Sequence, residues 1–154
     1  MHRSFGRSYK NYKGLIEEWG FMTEALKFKL YDSKKEEIVN YINCSISIVD
    51  GGVQSFGKDG MMKGTLSNSH LIPLQYTGKR DTKGREIYSG FIIKRIAGSV
   101  GEEDIIGVVR NYECAWWIDN ITEQRALPLF SETAIDEIIG NIYENKELAK
   151  TLGY

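Results

Sequence analysis

Apolar residues in this chain come in short alternating runs, each closed by glycine or by a polar turn. From Ala25 to Tyr31, Leu26, Phe28 and Leu30 alternate with Lys27, Lys29 and Tyr31. A period of two places one set of side chains on one face of a strand, so it predicts a sheet with one buried face. Asp32-Ser33-Lys34-Lys35 reads as a polar turn, and a second strand is expected around Ile38 to Ile42. Ser45-Ile46-Ser47-Ile48-Val49 makes a third alternating run, closed by Asp50-Gly51-Gly52, which supplies the positive torsions of a tight turn. The glycine-rich section that follows, with Phe56-Gly57-Lys58-Asp59-Gly60 and Gly64-Thr65-Leu66, reads as a long hairpin or loop between two halves.

The second half repeats the pattern. Leu71 to Tyr76 should be extended, with Pro73 at an edge or strand start, where its missing N–H does no harm. Arg80 to Arg85 is a turn with Gly84 in the left-handed conformation. Ile87 to Ile96 is a β-rich apolar run, Gly98 to Asp104 a loop, and Ile105 to Val109 a strand. Cys114 to Ile118, Ala126 to Phe130 and Ile138 to Tyr143 complete the set. Asn145 is then expected to cap a short helix through Lys150, with Glu147 in its first turn and Lys150 in its last. Short strands at this spacing predict a small sandwich or barrel.

The first 21 residues read differently. Arg3, Arg7, Lys10 and Lys13 alternate with small and polar residues, without sustained periodicity. Residues 1–21 are expected to be a disordered leader or a mis-assigned start, with Met22 as the native first residue. Glu17-Glu18-Trp19 can be encoded by a purine-rich stretch suited to ribosome binding just upstream. The division expected is 1–21, an N-terminal β-rich segment 22–70, and a small barrel with its terminal helix at 71–154.

No apolar run approaches the roughly 18 residues of a membrane span, so no membrane association is expected. Cys44 and Cys114, the only cysteines, form no disulfide framework; a reducing cytosol suits them, and both are expected to be buried. The formal net charge of −1 hides a split. Residues 58–95 carry eight basic and three acidic side chains, whereas residues 102–154 carry eleven acidic and four basic ones. Opposed halves of this kind suit head-to-tail self-association or a contact within the molecule.

Two glycine- and aromatic-rich stretches stand out. One is Leu74-Gln75-Tyr76-Thr77-Gly78, running through Asp81 and Gly84 to Glu86-Ile87-Tyr88-Ser89-Gly90. The other is Ile139-Gly140-Asn141-Ile142-Tyr143-Glu144-Asn145. Together they resemble the signature of the YopX family of phage and prophage proteins, and Leu26 to Asp32 resembles that family's N-terminal strand. Phe91 stands where the family usually has Asp, and Lys146 where Pro commonly precedes Glu-Leu. The resemblance implies a mainly β (α+β) protein with an N-terminal β segment, a C-terminal SH3-like small barrel and a short terminal helix. It also implies a phage or prophage origin and favours homo-oligomers. It brings no catalytic residue, cofactor or substrate.

The residues themselves carry no catalytic constellation. His2 and His70 are the only histidines, with no metal-ligand spacing and no nucleophile elbow around them. Catalytic, cofactor and metal sites are each expected to be none. Glu102-Glu103-Asp104 reads as a solvated loop, since three adjacent acids cannot converge on a cation. Partner contacts are the remaining class. Lys79, Arg80, Lys83 and Arg85 form a basic turn able to reach a phosphate backbone, and Trp116 and Trp117, with Tyr112, are candidates for stacking. Adjacent tryptophans in a strand face opposite ways, so at most one anchors the core. The expectation is a non-enzymatic, cytoplasmic protein-interaction module that contacts itself or a host or phage protein. An RNA- or DNA-binding module using residues 79–85 is the alternative. An enzyme would need a pocket built from dispersed carboxylates such as Glu86, Asp104 and Asp119.

Overall fold

The computed structural model describes residues 27–39 and 70–154, together with the backbone of two short strands at Cys44–Ile46 and Val53–Ser55. The leader, the Met22 start, His2, the environment of Cys44 and the glycine-rich section 56–69 lie outside the described residues. The chain is mainly β. In order, the strands are β1 (Phe28–Asp32), β2 (Glu37–Val39), β3 (Cys44–Ile46), β4 (Val53–Ser55), β5 (Leu71–Arg80) and β6 (Glu86–Tyr88). They continue with β7 (Phe91–Ile96), β8 (Ile105–Tyr112), β9 (Ala115–Asn120), β10 (Arg125–Pro128) and β11 (Ile135–Asn141). One helix among the described residues, α1 (Lys146–Thr151), follows.

The strands form a four-stranded sheet in the order β2-β1-β5-β6 and a five-stranded sheet in the order β10-β9-β8-β7-β11, while β3 and β4 pair with each other. All pairings are antiparallel. The five-stranded sheet curls around Ile93, Ile105, Val109 and Ile118, and Ile87 and Leu129 complete that core. A second core, built from Tyr31, Leu74, Tyr88 and Phe91, joins the two sheets. The Phe91 departure from the family pattern is thus an apolar core residue. On the outer side of the five-stranded sheet, Ile92 and Val108 are covered by Leu152 from the end of the chain. Burying a leucine there stabilises by about 1.5–3 kcal/mol.

Several expectations change in detail. The run from Ile87 to Ile96 is not one strand. It breaks at Ser89-Gly90, where the chain leaves the first sheet and enters the second. The final strand spans Ile135–Asn141, earlier than its apolar pattern suggests. Asn145 sits at the helix N-cap position, but its side chain makes no cap bond. The side-chain Oδ1 instead accepts the Asn141 N–H at 2.9 Å, closing the turn that carries the terminal motif. Cys114 is exposed rather than buried, because it occupies the β8–β9 hairpin turn. Both residues of that turn, Glu113 and Cys114, have positive φ, 51° and 62°.

Among the described residues, part of the charge split is paired within the molecule. Arg95 lies on β7, directly across from Asp136 on β11. Its guanidinium donates to both Asp136 carboxylate oxygens, at 2.7 and 2.8 Å, and to the carbonyls of Pro128 and Leu129. Only 4% of Arg95 and 2% of Asp136 is exposed, so each charge depends on the other.

Candidate functional site

The basic turn joins β5 to β6, and Asp81 organises it. The Asp81 carboxylate accepts the N–H groups of Lys83 and Arg85 and the Arg85 guanidinium. It also accepts the N–H of Ile138 on β11. Burial alone would raise its pKa, but these donors, the Arg85 N–H foremost, outweigh burial and hold the carboxyl below its usual range. Every cation of the turn has a carboxylate partner, Arg80 and Lys83 in exposed pairs. Lys79 reaches Asp136 at 2.5 Å and the Leu129 carbonyl at 2.9 Å. Arg80 pairs with Glu86 at 2.7 Å and donates to the Gly84 carbonyl. Lys83 pairs with Glu137, and Arg85 pairs with Asp81 while donating to the Ile138 carbonyl. Four cations therefore meet four carboxylates, two of them on the acidic strand β11.

The two tryptophans face opposite sides of β9. Trp116 packs against the curled sheet's core. Trp117 stacks on Tyr112, with ring centroids 5.3 Å apart, and its indole N–H donates to the Tyr112 carbonyl at 3.2 Å. Trp116 also lines a cleft of about 520 Å³ between the two sheets, to which none of the four turn cations contributes.

That cleft draws on residues far apart in the chain. Phe28 comes from β1, Pro73 and Gln75 from β5, Arg110 and Asn111 from β8, and Tyr154 from the end of the chain. Strand pairing places Phe28 opposite Gln75 and Asn111 opposite Trp116. The Arg110 guanidinium lies over the Tyr154 ring, 5.4 Å from its centroid, and donates weakly to its hydroxyl at 3.5 Å. The Tyr154 hydroxyl in turn donates to Asp119 at 2.6 Å. Burial, then this bond to a carboxylate, push the tyrosine up to about 12. Nothing in the spacing of Phe28, Gln75, Arg110, Asn111 or Tyr154 marks them as site residues. The one available hint is an arginine standing apart from the basic turn, on a strand beside aromatic residues.

The two signature stretches meet at the floor of this cleft. Gly90 donates to the Val109 carbonyl and accepts from the Ile142 N–H, so it links three strand segments. Tyr143 stacks on Tyr31 at 4.7 Å and lies directly against Gly90. The Asn141 side chain accepts the N–H groups of Tyr143 and Glu144, and Glu144 reaches across to the Ile38 N–H on the edge strand β2. The motif residues thus hold the two sheets and the helix together.

The acidic loop before β8 has no common focus. Glu102 accepts from Thr133, Gly98 and Ser131, and these bonds pull its carboxyl down to about 2. Glu103 pairs with Arg125, and Asp104 accepts the Ala97 N–H. Glu86, Asp104 and Asp119 each bond in a different neighbourhood. Among the described residues no three His, Cys, Asp or Glu side chains converge as metal ligands, and no helix is long and apolar enough to cross a membrane. His70 Nδ1 is buried without a hydrogen bond among the described residues.

No protein with a curated description matches the chain. Among solved structures, protein yopX from Bacillus subtilis is similar at 18% identity, over 82% of this chain and 98% of that one, with a TM-score of 0.54. Protein EF1440 from Enterococcus faecalis is 17% identical over 82% of this chain and 99% of its own, with a TM-score of 0.49. The first likeness is one of fold. The YopX protein family matches residues 21–150, nearly the whole of the described fold, and the chain belongs to that family.

Proposed function

We propose that this protein is a non-enzymatic interaction module of phage or prophage origin, working in the bacterial cytoplasm through protein contacts. The observation that carries this reading is the neutralisation of the basic turn. Phosphate binding draws its strength from free cations that displace counterions. Lys79, Arg80, Lys83 and Arg85 are each committed to a carboxylate of the same chain. What the surface offers instead is an aromatic cleft and, on the outer face of the five-stranded sheet, the exposed trio Ile96, Ile106 and Ile135. Ile96 and Ile135 are direct cross-strand neighbours, which supports self-association as part of the same reading.

Nucleic-acid binding is the second reading, favoured by the Tyr112–Trp117 stack beside the hairpin turn. Anisotropy of a labelled single-stranded 12-mer at two salt concentrations separates the two. The protein-contact reading predicts weak binding that is unchanged by Arg80→Gln with Lys83→Gln, two exposed positions. Tight binding that falls steeply with salt and disappears in that double variant would reverse the preference.

A further inference from the structure

Arg110 is set apart from the other arginines. Among the described residues, Arg80, Arg85, Arg95 and Arg125 each have a carboxylate partner, and Arg110 has none within salt-bridge distance. It is not loose. The Tyr154 ring and hydroxyl hold it at the mouth of the intersheet cleft, while Asp119, the nearby acid, accepts the Tyr154 hydroxyl. A guanidinium that touches no carboxylate directly, its nearby acid bonded to the Tyr154 hydroxyl, can take a carboxylate from outside through two parallel N–H donors.

The rest of the cleft indicates what carries that carboxylate. Gln75 and Asn111 line it, and their carboxamides make no hydrogen bond among the described residues. Each offers two donors and an acceptor, the complement of a peptide backbone. Phe28, 36% exposed, and the half-buried Pro73 and Trp116 supply apolar walls. A volume of about 520 Å³ suits one or two side chains rather than a folded element.

We infer that this cleft binds an extended peptide segment of a partner protein, with an apolar side chain against Phe28 and Trp116 and a carboxylate on Arg110. The inference rests on the protein-contact reading above and names the partner chemistry of that site. A nucleic-acid strand fits less well, because a single cation cannot follow a phosphate backbone, and an acid stands behind the tyrosine that holds it.

The test uses the full chain labelled with ¹⁵N and short peptides capped at both ends, each holding one leucine and one glutamate one to three positions later. Matched peptides replace the glutamate with glutamine, and a further set keeps the glutamine but has a free C-terminus. Binding should shift the side-chain amide signals of Gln75 and Asn111 and the indole signal of Trp116. It should require a carboxylate, and comparison of the glutamate and free-terminus sets identifies its source. Arg110→Gln should weaken binding about tenfold or more, the loss expected for a charged hydrogen bond, with the remaining spectrum unchanged. Arg110→Lys should fall between the two, since it keeps the charge and loses the fork.

Equal binding of carboxylate-free peptides would overturn the inference. So would absence of these shifts at millimolar peptide, or the same signals moving with a single-stranded oligonucleotide instead. The broader reading fails separately, on tight, salt-sensitive binding of the labelled 12-mer that disappears in the Arg80→Gln, Lys83→Gln variant.

Discussion

Replacing Gly90 with alanine tests whether the two signature stretches are held together by contact. Gly90 has φ +78°, and a Cβ placed there would lie 2.6 Å from Cε2 of Tyr143 and 3.2 Å from its Cζ and hydroxyl oxygen. Gly84 has nearly the same torsion, +76°, but open space within 4 Å. Both substitutions force an L-residue into the left-handed region, at a cost of roughly 1–2 kcal/mol. Only Gly90→Ala adds a clash. Tyr143 cannot retreat freely, because its other side stacks on Tyr31 at 4.7 Å. Overpacking of this kind costs about 1–3 kcal/mol. Gly84→Ala should therefore lose roughly 1–2 kcal/mol, and Gly90→Ala about 2–5 kcal/mol. Urea unfolding followed by tryptophan fluorescence measures both. In a Tyr143→Leu background the excess at Gly90 should shrink towards the Gly84 value, giving a coupling energy of about 1–3 kcal/mol. Two alanine variants equal within about 0.5 kcal/mol would refute the reasoning, as would an excess that survives loss of the tyrosine.

Other perturbations address the remaining contacts. Asp136→Asn removes the counter-charge of buried Arg95 and of Lys79, and should cost about 3–5 kcal/mol in chemical denaturation; a loss under about 1 kcal/mol contradicts the buried network. The Glu102 carboxyl is lowered in the folded state to about 2 from 4.5, so its stabilising contribution is complete above pH 4.5 and is lost as pH falls towards 2. The stability gap between wild type and Glu102→Gln, measured by urea unfolding at pH 5.5, 4 and 3, should narrow with acid; a constant gap assigns the loop another anchor. Glu113→Asn combined with Cys114→Gly gives the β8–β9 turn residues suited to its positive torsions, and should raise stability by about 1 kcal/mol. A lower unfolding midpoint would contradict that turn geometry.

How much could be read in advance depends on whether a residue's partner is local. The period-two runs marked β1 and β8 as strands but not which face is buried. In β1, Tyr31 enters the core that joins the sheets, Leu30 packs with Leu71 on the other face and Phe28 is exposed. In β8 both Val108 and Val109 are buried, on opposite faces. The run from Phe91 to Ile93 is buried throughout, because Ile93 faces the curled core while Ile92 is covered by Leu152. With both faces buried there is no alternation left to mark the break at Gly90. Asn145 was read by its place before a helix, yet its amide was taken by Asn141, a choice made by the turn. The basic turn was visible as charge, but two of its carboxylate partners, Asp136 and Glu137, lie more than fifty residues on. The cleft had no spacing to betray it. Phe28, Gln75, Arg110 and Trp116 come together only because β1 pairs with β5 and Gly90 carries the chain from that sheet into the next.

The measurement that bears most directly on this account is affinity capture from infected or lysogenic host cells, with and without nuclease, using wild type and Arg110→Gln side by side. The account predicts a stoichiometric protein partner that survives nuclease and is lost or strongly reduced with the variant. Recovery that collapses with nuclease, or a partner held equally well without the arginine, would contradict it.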